Sequence, residues 1–251
     1  MIGIDVVDLG NPRTRDRHRD QRFLDRIFSS AEQQTIQEAS DPELTLWRFW
    51  AMKEAAFKAI SSALHPEPPP VFAHPDFQGE LEGESGGASG RVIWRDREVR
   101  LRLHGRGLMD GSGEDLGWCA ATALLRGSEG GDTAGGSPAG LLAHRIAPTR
   151  VVTSEVGTSA KDADELRPLL SSREAASVHS LGSGLVRLAA RSALAAAAEI
   201  DPGRVEVVAG DHPGGRIPPI VLLDGVPAPG LRVTLSHDGP WIAWGWSVLD
   251  R

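Results

Sequence analysis

Three groups of residues have the types and spacing to do chemistry. The first is Asp5, a carboxylate inside the apolar run Ile2-Gly3-Ile4-Asp5-Val6-Val7. Burying a carboxylate there is unfavourable unless a cation or hydrogen-bond donors compensate it. Asp5 is therefore either a cation ligand or an Asp whose oxygens accept from nearby backbone amides, and Asp8 simply opens the following turn. The second group lies on the segment Trp47-Arg48-Phe49-Trp50-Ala51-Met52-Lys53-Glu54-Ala55-Ala56-Phe57-Lys58. Glu54 and Lys58 are four apart and share a helix face, in the order that favours a surface ion pair. Yet Trp50 stands one turn before Glu54, and Phe49, Met52 and Phe57 fill much of the rest. A helix apolar nearly all round is buried, and its few charges need partners. Magnesium takes oxygen ligands, often one or two carboxylates plus substrate phosphates. Asp5 and Glu54 fit that description, with Lys53 and Lys58 available for phosphate charge. The third group is Thr234-Leu235-Ser236-His237-Asp238-Gly239. It reads either as an ordinary hairpin turn or as a hydroxyl, an imidazole and a glycine turn gathered around a phosphate. Its spacing is not that of a nucleophile elbow.

The elements that must position these groups are legible. Ile2, Ile4 and Val6 alternate with Gly3, Asp5 and Val7, the period of a strand. Leu46 to Ile60 has apolar residues at helical spacing, good helix formers and no Gly or Pro, and Pro66 to Pro70 ends the region. Ile242, Trp244, Trp246 and Val248 alternate with smaller residues, a strand whose tryptophans belong to the core. Gly79 to Gly90 and Gly127 to Gly140 read as mobile linkers rich in Gly and Ser with acidic residues.

The two halves of the chain match in order. Ile27-Phe28-Ser29-Ser30-Ala31-Glu32 resembles Leu169-Leu170-Ser171-Ser172-Arg173-Glu174; Trp50 to Ala55 can be laid on Leu188 to Ala193; Trp118-Cys119-Ala120 corresponds to Trp241-Ile242-Ala243, which sets His104 near His237. The expectation is an α+β fold of two repeats, 1–126 and 141–251, joined by a linker at 127–140.

Composition removes several function classes. The chain has 251 residues, 40% hydrophobic and 24% charged, with a net charge of −7. That balance argues against nucleic acid as the main partner. The single cysteine, Cys119, forms no internal disulfide and no zinc cluster. Without a bilayer-spanning run or a signal pattern, the expected location is cytoplasmic, with no membrane partner. Arg13, Arg15, Arg17, Arg19, Arg22 and Arg26 form a local basic stretch, either a solvated surface or a contact for an acidic partner.

Taken together, Gly3-Ile4-Asp5, Trp50-Ala51-Met52-Lys53-Glu54-Ala55-Ala56-Phe57-Lys58 and Leu235-Ser236-His237 resemble the 4′-phosphopantetheinyl transferase superfamily. Phe23 to Glu32 is similar to its holo-acyl-carrier-protein synthase branch. The resemblance covers residues 1–60, recurs at 231–248, and is vague between. It implies a 4′-phosphopantetheinyl transferase-like pseudodimer of two α+β repeats. The implied reaction moves 4′-phosphopantetheine from coenzyme A to a serine of an apo acyl or peptidyl carrier protein, releasing adenosine 3′,5′-bisphosphate. Asp5 and Glu54 would hold magnesium, and Glu54 would accept the serine proton. Lys58 would stabilise phosphate charge with Lys53 as helper, and Ser236 and His237 would hold coenzyme A phosphates. The basic stretch would meet the acidic helix of the carrier.

The order of motifs departs from the family's tandem members, which carry the Ser-His piece first. Here Leu103-His104 stands for Ser-His in the first half, while Arg191-Ser192 and Ala196 stand for Lys-Glu and the second lysine in the other. Val7 replaces an additional acid that many tandem members carry. One composite site between the repeats is expected, in a monomeric pseudodimer. A degenerate, non-catalytic coenzyme A or carrier-protein binder is the alternative. A magnesium-dependent phosphohydrolase would explain neither the Lys-Glu helix nor the repeat.

Overall fold

Residue types that stiffen extended backbone place the first strand, β1 (Ile2–Asp8), and all seven of its residues are buried. The computed structural model describes residues 1–65, 67, 69–82, 89–106, 117–125, 142–212 and 215–249. After β1 come α1 (Gln21–Ile27), α2 (Ser30–Glu38) and the long α3 (Pro42–Leu64). The strands β2 (Gln78–Glu82), β3 (Ser89–Trp94), β4 (Arg97–Arg106) and β5 (Trp118–Leu124) complete the first half. Its antiparallel sheet has the order β1-β5-β4-β3-β2. The second half runs β6 (Leu142–Pro148), α4 (Thr149–Glu155), α5 (Ala163–Leu166), α6 (Ser172–Ala175), α7 (Leu181–Ala198), β7 (Val205–His212), β8 (Gly215–Leu223), β9 (Val226–Pro227), β10 (Leu231–Asp238) and β11 (Trp241–Val248). It builds two sheets, β10-β11-β6 and β7-β8-β9. The class is α+β.

The helix expected at Leu46–Ile60 extends to Pro42 and Leu64. Asp41 caps it by accepting from the Leu44 amide, and Pro42 sits in the first turn, where its missing N–H is no loss. Leu46, Phe49, Met52, Ala56 and Ile60 are buried in the first core. The glycines at 79 and 90 are not linker residues. Both are buried in the β2–β3 hairpin, and a Cβ on Gly90 would lie 2.6 Å from the Met52 side chain. Gly occurs there because the helix packs against the strand; the rest of that stretch, 83–88, and the second linker lie outside the described residues.

The same local device recurs in both halves. Ser29 and Glu32 form a capping box on α2, and Ser171 and Glu174 form one on α6. Each glutamate is buried. Glu32 accepts from Lys53 Nζ at 2.8 Å and from the Gly79 amide at 2.7 Å. Glu174 accepts from Arg191 Nη1 at 3.1 Å and from the Val207 amide at 2.9 Å. Lys53 also donates to the Ile27 carbonyl, and Arg191 to the Leu169 carbonyl. In each case a glutamate ties a helix start, a long helix and the next strand together. The order β1-β5-β4 is likewise matched by β6-β11-β10.

Strand register corrects one alignment. Asp8 pairs with Trp118 and Pro148 with Trp241, so the equivalent tryptophans start equivalent strands. Counting from them, Ala120 pairs with His104 and Ala243 with Ser236. His104 therefore occupies the position of Ser236, one place from the expected match with His237. A slip of one residue in a strand reverses the face a side chain presents, so the register decides.

The halves meet along β1. Alternate amides on its edge away from β5 donate to side chains of β10. Ile4 N–H donates to Thr234 Oγ1 at 3.2 Å, Val6 to Ser236 Oγ at 3.3 Å, and Asp8 to Asp238 Oδ2 at 2.9 Å. Ile4, Val6, Ala120 and Ala243 form a small core at this seam. Trp118 and Trp241 face each other across it, ring centroids 5.2 Å apart.

Candidate active site at the seam between the halves

Gly3 sets the distance between β1 and α3. A Cβ at that position would overlap the carbonyl oxygen of Ala55, so only glycine lets the strand carrying Asp5 lie against the helix carrying Glu54 and Lys58. Lys58 reaches back from α3 and donates to Asp5 Oδ1 at 2.8 Å and to the Ile4 carbonyl at 2.9 Å. The ion pair of Lys58 is thus with Asp5, not with Glu54 one turn away. Two of its three N–H donors are used, leaving one for the cleft.

From the other half, Ser236 donates to the same Asp5 oxygen at 2.8 Å. Its oxygen meanwhile accepts from the Val6 amide. The only proton of the Ser236 hydroxyl is therefore committed to Asp5, and none is left to donate to a phosphate. In this arrangement the Ser236 hydroxyl holds the Asp5 carboxylate. Burial pushes the Asp5 carboxyl above the usual carboxylate range, opposed by Lys58, reinforced by Glu54, and opposed again by the hydrogen bonds from Lys58 and Ser236; the net direction is upward.

Asp5, Glu54, Lys58, Ser236 and His237 line one cleft of about 520 Å³, together with Asn11, Arg13, Trp47, Trp50 and Asp238. Lys53 is elsewhere. Its side chain is fully buried, and Nζ donates to Ile27 O, Glu32 Oε2 and His74 O, which uses every N–H it has. The neighbour of Glu54 in sequence points into the core because a helix turns about 100° per residue.

In the cleft's lining, Asn11 was not singled out in the sequence and Arg13 only as part of the basic stretch; His74, beside Glu54, was not singled out either. Asn11 and Arg13 sit on a loop fastened by Trp47 Nε1, which donates to Thr14 O at 3.0 Å, and by Thr14 Oγ1, which donates to Asn11 O at 2.6 Å. His74 Nε2 lies 3.8 Å from Glu54 Oε1, its ring against Trp50 and Phe72. No spacing in the sequence could flag His74, because it arrives from a loop after α3.

His237 is held by close packing. A Cβ on Gly182, in the first turn of α7, would lie 3.2 Å from the His237 ring. Burial lowers the imidazole's affinity for a proton, and His179, Lys58 and Arg187 lower it further against the pull of Asp238. Beyond His237 and Leu235 the cleft adjoins a second lobe of about 470 Å³ that includes Arg173, His179 and Arg187.

The position that corresponds by register across the seam carries different groups. By register Arg145 stands where Asp5 does, and it pairs with Glu155 at the surface. His104 stands where Ser236 does, bonded to Thr122 Oγ1 and 5.5 Å from the His144 ring.

Residues 1–91 match the family model of the 4′-phosphopantetheinyl transferase superfamily. That region carries Asp5, Glu54 and Lys58, so the superfamily resemblance stands on the half that supplies the carboxylates. Among solved structures, the chain is similar to Helicobacter pylori holo-[acyl-carrier-protein] synthase, which was crystallised with coenzyme A. The two are 18% identical with a TM-score of 0.35, over 50% of this chain and 100% of that one. No curated protein matches the chain. No helix among the described residues is long and apolar enough to cross a membrane.

Proposed function

We propose that this chain is a phosphopantetheinyl transferase of the holo-acyl-carrier-protein synthase type, built as two tandem α+β repeats (1–126 and 141–251, linked by 127–140) with one composite site. The observation that carries the reading is the meeting of Asp5, Glu54 and Lys58 with Ser236 and His237 in one cleft. The superfamily match over residues 1–91 supports the same chemistry.

The donor set fits magnesium. Asp5 and Glu54 offer hard carboxylate oxygens to one cleft, and Glu54 accepts no hydrogen bond among the described residues. No cluster of three or more His, Cys, Asp or Glu able to hold a metal is present among them. A two-carboxylate site completed by water and substrate phosphates is what magnesium ordinarily uses. When bound, the ion would neutralise pyrophosphate charge and polarise the reacting phosphoryl group.

The side chains account for the rest. Glu54 takes the proton of the carrier serine as its oxygen bonds to the β-phosphorus of coenzyme A. The bond from that phosphorus to the bridging oxygen breaks, and adenosine 3′,5′-bisphosphate leaves. The remaining N–H of Lys58 meets the charge on the transferring phosphoryl oxygens. His237, with the Arg173, His179 and Arg187 lobe, holds the nucleotide phosphates, and the exposed arginines at 13, 15, 19, 22 and 26 receive the acidic carrier.

The test is intact mass after mixing protein, coenzyme A, magnesium and several apo carrier proteins. A carrier gaining one phosphopantetheine, and failing to gain it with Glu54→Gln, is the expected result. Failure of every carrier with coenzyme A still bound would leave a binding protein instead.

A further inference from the structure

The carboxylates that line the cleft, Asp5, Glu54 and Asp238, are not held alike. Asp5 accepts from Lys58 and Ser236, and Asp238 accepts from the Asp8 amide. Glu54, to which the transferase reading gives both a cation and a proton, accepts no hydrogen bond among the described residues. Its carboxylate ends a flexible side chain on α3, and a reacting group works only where its oxygens are aimed. One candidate donor stands beside it. His74 Nε2 lies 3.8 Å from Glu54 Oε1, and this nitrogen is buried with no hydrogen-bond partner among the described residues. Buried polar atoms are ordinarily paired, so an orphan next to an unpaired acceptor marks a bond that the two can make.

His74 is fixed through both its ring and its backbone. The ring packs against Trp50, centroids 4.8 Å apart, and against Phe72 at 4.1 Å. Trp50 is one turn before Glu54 on the same face of α3, so a ring resting on Trp50 comes within reach of Glu54. The His74 carbonyl accepts from Lys53 Nζ at 3.0 Å and from the Phe77 amide at 3.1 Å. Lys53 and Glu54 are neighbours that leave α3 in different directions, and His74 meets both, one with its backbone and the other with its ring. The buried Glu32–Lys53 pair thus anchors the turn from which the ring reaches Glu54.

We infer that His74 is a positioning residue for Glu54, an inference that rests on the transferase reading. With its proton on Nε2, the imidazole donates to one Glu54 oxygen and leaves the other for the cleft. The separation of 3.8 Å is longer than a hydrogen bond, and a closure of about 1 Å brings it into range. Hydrogen bonds of catalytic groups commonly tighten in this way only when the substrate is bound. His74 acts through Glu54 and needs no contact of its own with coenzyme A or the carrier.

Two variants of the full chain separate donation from packing. His74→Phe keeps a ring between Trp50 and Phe72 but has no donor, and His74→Gln returns a donor without the ring. In transfer to an apo carrier, His74→Phe lowers kcat about ten- to a hundredfold, with KM for coenzyme A within about twofold of wild type. His74→Gln recovers most of that loss. A second readout needs no turnover: nuclear magnetic resonance of the full chain carrying nitrogen-labelled histidine. The spectrum shows His74 with its proton on Nε2, and that resonance shifts in Glu54→Leu. A His74 without a proton on Nε2, or a resonance indifferent to Glu54→Leu, overturns the assignment. So does an unchanged kcat in His74→Phe, or an equal loss in both His74 variants. If His74→Phe does not fold, the spectrum decides. Wild-type protein that modifies no carrier overturns the transferase reading, and the spectrum then decides separately whether His74 holds Glu54.

Discussion

Ser236 Oγ donates to Asp5 Oδ1 at 2.8 Å, a bond between residues 231 apart in the chain. The same oxygen accepts from the Val6 amide, so one hydroxyl both closes the edge of β1 and aims the carboxylate of β1 into the cleft. A strand edge that pairs with side chains instead of backbone leaves room for such a group to do both. The seam is therefore part of the site, and neither half presents Asp5 correctly by itself.

Ser236→Ala separates these roles from substrate contact. Removing the hydroxyl leaves the Val6 amide unpaired and takes one donor from Asp5, a loss of about 1–3 kcal/mol in unfolding free energy. Transfer should show a fall in kcat with little change in KM for coenzyme A, and Ser236→Thr should recover part of it. A raised KM with unchanged stability would mean that Ser236 acts on the substrate.

Lys53 should behave as a core residue. Lys53→Met leaves Glu32 buried without its cation, and breaking such a pair from one side destabilises by about 3–5 kcal/mol. Urea unfolding should show that loss, while the folded fraction keeps its KM for coenzyme A. Arg191→Met, whose side chain is 17% exposed in its pair with Glu174, should be milder.

Gly3→Ala probes the spacing of strand and helix. The added Cβ meets the backbone of Ala55, which no rotamer change can relieve. Destabilisation of about 3 kcal/mol is expected, at the upper end of ordinary overpacking. Residual transfer should fall as well, because the Asp5–Lys58 contact spans the same gap.

His104 gives the fold a mild sensitivity to acid. Burial lowers its affinity for a proton, and nearby His144 and Arg102 lower it further. Its folded value lies below the unfolded value of about 6.5. The unfolded chain therefore binds the proton more readily, and stability is complete above about pH 6.5 and declines as pH falls toward the folded value. His104→Gln, which can keep a bond to Thr122, should flatten the dependence of the denaturation midpoint between about pH 6.5 and 5. An unchanged slope would assign the sensitivity to other groups.

The amino-acid sequence by itself determined the local pieces. Alternation placed β1 and β11, helical spacing placed α3, and the ordered matches at Ser29-Glu32 and Ser171-Glu174 both prove to be capping boxes. It also named Asp5, Glu54, Lys58, Ser236 and His237, because charged or polar groups in apolar company demand partners. What it could not supply was which partner each group finds. Lys53 and Lys58 look alike in the sequence, yet one closes a buried staple on Glu32 and the other faces the cleft, since a step of five residues turns the helix to a different side. Gly79 and Gly90 read as linker until the helix packed against them was visible. The match of His104 with Ser236 needed strand register, a pairing between residues far apart in sequence. The carboxylate of Asp5 was legible from its neighbours; the hydroxyl that aims it came from the other half, and only the folded seam brings the two together.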